Sequence, residues 1–241
     1  MKTKQKINKI NLLFLILFLF LTTLLTSKTL KKIDLQDIEI YGSELFSKQD
    51  IVDNSSLNFS TRLIFIKTKY IEKELKQNLS LKNVSVNRQI VPFGLKVIVK
   101  TRNPIAHGEQ LLNGKKVLGF IDEDGFFIKK EYANKDNTPK LITQVLGWQK
   151  NYKKTLSEIL TSQKHNDLEF SRIVFSPSGF LTLEEKDLKT IVLGFNPNLI
   201  KSQLQIIINL KSQFKKNYIL DEIDNIDLTD PDNPKIKVFK P

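Results

Sequence analysis

The chain has 241 residues, no cysteine and a formal charge of +12. It can hold one ordinary domain or two small ones, and disulfides and thiolate metal sites are excluded. The charge is mostly lysine, with only Arg62, Arg88, Arg102 and Arg172 as arginines. Beyond Lys32 it falls to 31 basic against 26 acidic side chains, with none of the concentrated Arg or aromatic surface expected of a nucleic-acid reader.

Residues 1–9 read as a short lysine-bearing tail. Residues 10–27, INLLFLILFLFLTTLLTS, are an uncharged run that would extend about 27 Å as a helix, close to the thickness of a hydrocarbon core. A cleaved signal peptide is disfavoured, because the apolar run exceeds the usual length and no small-residue cleavage motif follows Leu25. A buried soluble helix would not be apolar on every face. The expectation is a single transmembrane helix carrying Ile10, Leu13, Leu17, Leu21 and Leu25, with the amino terminus cytoplasmic under the positive-inside rule.

From residue 36 to 102 the pattern is strand, helix, helix, strand, strand. DIEIYG alternates, Ser47 precedes Asp50 as in a capping box, and Thr68 is placed to cap a second helix. That helix carries Ile71, Leu75 and Leu79 on one face and a Glu72–Lys76 pair on the other. Val84 and Val86 precede a Pro92-Phe93-Gly94 turn, and Leu95, Val97 and Val99 follow it, so a hairpin is predicted. Two helices covering one face of a three-stranded sheet make an α+β unit.

Residues 103–241 read as β-rich. Hairpins are predicted around Asp122-Glu123-Asp124-Gly125 and around Ser176-Pro177-Ser178-Gly179, and an open loop near Lys130 to Thr138. KTIVLGF is a strand, Asn196-Pro197 opens a long helix striped by Ile200, Leu204, Ile207, Leu210 and Phe214, and KIKVF is a last strand.

No enzyme constellation emerges. His107 and His165 are the only histidines, each in a polar setting that reads as a loop and without ligand spacing around it. The acidic turn at 122–125 lacks the further oxygen ligands of a calcium loop, and its acids are expected to keep the turn wet. Asp221, Glu222, Asp224, Asp227, Asp230 and Asp232 read as a solvated face, with docking of a basic segment as the alternative. Sixteen Phe, five Tyr and one Trp are assigned to packing. No cofactor, metal or small-molecule substrate is expected.

In order along the chain, IEIYG, FSKQDI, LKNVSVNRQIVPFGLKVIVKTRNPIA, GFIDEDGFFI, the Leu146-Gly147 pair, VLGF and IDNIDLTDP resemble the bacterial cell-division family FtsQ, or DivIB. The resemblance implies a POTRA domain followed by a second, mixed β domain. It implies a non-catalytic divisome scaffold in the inner membrane, enriched at the division site, with FtsL- and FtsB-like proteins and the septal peptidoglycan synthases as partners. It makes Arg102, Pro104 and Ala106 the domain junction, and the terminal strand Lys235, Ile236, Lys237, Val238 and Phe239 the acceptor of a partner strand. Thr101 and Thr229 stand where the family often has Glu and Arg. A POTRA-bearing envelope transport or assembly factor is the alternative, which would call for several POTRA repeats or a transmembrane barrel.

Overall fold

The computed structural model describes residues 9–133, 142–217 and 223–238, with the side chains of residues 9–11, 24–26, 28–29 and 217 left aside. The chain divides into two compact units, Met1–Thr101 and Arg102–Pro241.

Helix α1 (Lys9–Thr29) opens the first unit. Leu13, Leu17 and Leu21 on it are 69%, 61% and 53% exposed. Among the described residues, no helix is long and apolar enough to cross a membrane, so the span expected at 10–27 is not shown. The side chains of Ile10 and Leu25 lie outside those described.

There follow β1 (Ile38–Tyr41), α2 (Lys48–Asp53), α3 (Thr68–Asn78), β2 (Asn83–Gln89) and β3 (Gly94–Lys100). The sheet order is β1-β3-β2, with β1 parallel and β2 antiparallel to β3. A parallel neighbour needs a long crossover, and α2, α3 and β2 supply it. Ser47 and Asp50 form the capping box that starts α2.

Two details of α3 differ from expectation. Thr68 is its first residue, and the preceding Lys67 makes no side-chain cap. Glu72 pairs with Lys69 at 2.9 Å, and not with Lys76, while its other oxygen accepts the Val86 amide at 2.9 Å. Serving β2 in this way draws the carboxylate back along the helix. Ile38, Ile51, Ile71, Leu75, Leu95, Val97 and Val99 form the core beneath.

The second unit holds β4 (Pro104–Leu112), β5 (Lys115–Asp122), β6 (Phe127–Lys129), β7 (Gln144–Trp148), α4 (Lys153–His165), β8 (Phe170–Phe175), β9 (Leu181–Glu185), β10 (Lys189–Gly194), α5 (Ile200–Asn217), β11 (Ile223–Asp227) and β12 (Lys235–Val238). They make one sheet in the order β12-β11-β10-β9-β8-β7-β4-β5-β6. The parallel pairs β7–β8 and β10–β11 are bridged by α4 and α5. Leu156, Ile159 and Leu160 of α4 and Ile200, Leu204 and Ile207 of α5 enter one core with the strands.

The long helix and both turns lie where expected, but α4 was not anticipated and β11 falls inside the supposed acidic face. Of the expected loop near 130–138, residues 130–132 are a short 3₁₀ turn and those from 134 lie outside the described residues.

Candidate partner-docking edge

Strand β12 closes one edge of the nine-stranded sheet. Its inner side pairs antiparallel with β11, Ile236 opposite Ile226 and Lys235 opposite Asp227. Directly opposed residues share a face, so Ile236 continues the row that buries Ile226 completely. Beyond β11 that row loses its cover: Ile236 is 40% and Val238 51% exposed. Lys235 and Lys237 stand on the other face, with Asp227. The outer side of β12 has no strand neighbour among the described residues, leaving its backbone donors and acceptors open to another chain. Phe239, expected in this strand, lies outside the described residues.

The polar support of the edge comes from Asp227. Its carboxylate accepts the Thr229 amide at 2.9 Å and the Thr229 hydroxyl at 2.7 Å. These bonds, with Lys235 and Lys237 nearby, hold its pKa below the ordinary 3.8. Thr229 thus fixes the end of β11. Gln203, wholly buried on α5, donates to the carbonyls of Leu193 at 2.8 Å and Leu228 at 2.7 Å, pinning the helix to the ends of β10 and β11.

The expected junction residues lie within the second unit. Arg102 is buried, pairs with Asp122 and lies over the Phe126 ring at 4.0 Å. Pro104 opens β4 opposite Asp122, and Ala106 is wholly buried opposite Ile121. Asp122 does not keep its turn wet. It is 2% exposed, its other oxygen accepting the Phe126 amide at 2.8 Å.

The histidines are not in loops. His107 sits in β4 against Phe120, ring centroids 5.5 Å apart, and His165 ends α4. Among the described residues, no group of three or more histidine or acidic side chains is placed to hold a metal. Asp221 and Glu222 lie outside the described residues, while Asp224 and Asp227 each directly follow a buried isoleucine, Ile223 and Ile226.

Residues 34–102 match the family described as POTRA domain, FtsQ-type. Residues 34–102, the part of the first unit that follows α1, are a POTRA domain of the FtsQ type. The match supports the FtsQ/DivIB family; it covers IEIYG, FSKQDI and LKNVSVNRQIVPFGLKVIVKTR, while the words of the resemblance beyond Arg102 lie outside it. No curated protein matches the chain. The FtsQ-type POTRA family is a non-enzymatic scaffold family, and the domain suggests a cell-division role exercised through protein contacts.

Sequence reasoning missed one polar cluster that shapes the second unit. Lys211 of α5 reaches Glu185 and Asp187 at 2.8 Å each. Glu185 also accepts the amides of Glu169, Asp187 and Leu188 at 3.0, 2.7 and 2.9 Å. A lysine at the edge of the apolar stripe of α5 was the available signal; that it meets two acids across the fold was not legible from spacing.

Proposed function

We propose that this chain is a non-catalytic divisome scaffold that links membrane-anchored division proteins to septal peptidoglycan synthesis. In this reading α1 spans the inner membrane once, with the amino terminus cytoplasmic and both folded units outside. Its 21 residues would extend roughly 30 Å, and its exposed leucines favour lipid over water. FtsL- and FtsB-like proteins and the septal synthases are the partners, and Arg102, Pro104 and Ala106 are the junction between the POTRA domain and the second unit.

The observation that carries the reading is the outer edge of β12. A partner strand added there would satisfy the open backbone groups and extend the apolar row of Ile226 and Ile236. The one-sided placement of Lys235 and Lys237 selects an acidic or amide-rich face on that strand. Confinement to a membrane raises effective concentration, so a modest contact suffices.

Ile236→Pro or Val238→Pro should abolish co-purification of the FtsB-like partner while the POTRA domain keeps its own unfolding transition. Unchanged partner recovery would refute the edge. A fluorescent fusion should gather at midcell in dividing cells, and a uniform membrane signal would refute the division reading.

A further inference from the structure

The β4–β5 hairpin outruns its sheet. Neighbour β7 pairs with β4 only as far as Gln110, and β6 pairs with β5 only from Gly119 onward. Among the described residues, Leu111 to Leu118 therefore have only each other as strand neighbours. The two strands are closed by Asn113 and Gly114, both at positive φ, 51° and 75°, the compact two-residue turn whose twist suits a hairpin.

This tip is apolar on both faces. The register sets Leu111 opposite Lys116 and Glu109 opposite Leu118, so Leu111 and Leu118 share one face; Leu112, opposite Lys115, is on the other. Leu111, Leu112 and Leu118 are 55%, 56% and 64% exposed. Lys115 and Lys116 are exposed beside them, and Glu109 answers Lys116 at 3.0 Å, leaving Lys115 as excess positive charge.

We infer that the Leu111–Leu118 tip is a wedge that enters the interfacial layer of an anionic lipid bilayer. A protein partner laid on the hairpin would cover one face and leave leucine exposed on the other, whereas a bilayer interface receives both at once. Apolar side chains then sit at the acyl boundary while the lysines stay among acidic headgroups. The wedge does not require α1 to span the membrane.

The chain contains no cysteine, so Leu112→Cys gives a unique site for an environment-sensitive fluorophore in the full-length protein, and Ser178→Cys, in an exposed turn, gives a control. Each is mixed with phosphatidylcholine vesicles and with vesicles rich in phosphatidylglycerol, with a quencher on the lipid chains and flotation measured in parallel. The expected result is a blue shift and lipid quenching at position 112 alone, in phosphatidylglycerol vesicles. Lys115→Gln and Lys116→Gln should each raise the anionic lipid needed by roughly fivefold.

A label at position 112 as exposed to water as that at 178 overturns the wedge. So does shielding that is equal in phosphatidylcholine and indifferent to both lysines, or shielding before lipid is added, which marks a protein contact instead. Flotation with a water-exposed label refutes the wedge and spares the α1 reading.

Discussion

The carboxylate of Glu185 is fully buried, and its charge is matched by one cation, Lys211, whose side chain is 9% exposed. Burial opposes the charge on Lys211, but its bonds to Asp187 and Glu185 outweigh that and raise its pKa above 10.5. The same cation lowers Asp187 below 3.8. Removing one partner of a buried pair costs about 3–5 kcal/mol. Lys211→Met should fall toward the lower end, since three backbone amides still serve Glu185. The depressed Asp187 contributes stability above its unfolded pKa and loses it as pH falls through the folded value. The raised Lys211 contributes below its unfolded pKa and loses it as pH rises through the folded value. Denaturant titrations of wild type and Lys211→Met should therefore differ by a constant amount between about pH 5 and 9 and converge outside that window. Arg102 poses the same question at the start of the second unit. Arg102→Met strands Asp122 in a buried site and removes the stack on Phe126, again about 3–5 kcal/mol, read as earlier unfolding of the second unit with the POTRA domain unchanged.

Among elements, the turn between β5 and β6 shows what a local pattern can and cannot convey. Asp-Gly between apolar runs announces the turn, and its Gly125 adopts φ +70°. What the turn rests on is α4. A Cβ on Gly125 would lie 2.3 Å from the Lys153 carbonyl, Ser157 donates to the Glu123 carbonyl at 2.9 Å, and Trp148 donates to the Gly125 carbonyl at 2.9 Å. Gly125→Ala should cost more than the roughly 1–3 kcal/mol of backbone strain alone, and Trp148, the sole tryptophan, should report the displaced turn by a red-shifted emission. The POTRA strands and helices, the two hairpin turns and α5 were legible because each carries period two or period 3.6 near a turn residue or cap. Helix α4 was not, although Leu156, Ile159 and Leu160 have helical spacing, because polar residues, mostly lysine, serine and threonine, fill its other positions and no side-chain cap begins it. Strand β11 was hidden differently. Its buried Ile223 and Ile226 are three apart, which breaks strand alternation, and the cause is an irregularity in pairing between Ile223 and Asn225. The outer edge of β12 was legible as a strand, but the apolar row that it continues depends on β11 as neighbour, a fact of topology that no local pattern holds.

At the scale of the molecule, each unit has a separate core, and no strand of one sheet belongs to the other. β3 ends at Lys100 and β4 begins at Pro104, so the backbone between them is short, and the second unit already grips it through buried Arg102. Stability and coupling can then be separated by one alteration. Six Gly/Ser residues inserted between Thr101 and Arg102 interrupt neither core, and loop entropy grows slowly with length. Calorimetry should show both unfolding transitions within about 0.5 kcal/mol of wild type, a shift typical of sites away from packing. The partner capture proposed for β12 should survive, because that edge lies wholly in the second unit. If the Arg102–Ala106 segment fixes the direction in which the edge is presented to the septal machinery, rescue of division in depleted cells should fail although the protein is folded, membrane-bound and still partnered. Full rescue at normal protein level would show that the two units act as independently tethered modules, and the junction would keep only its structural part in anchoring Asp122.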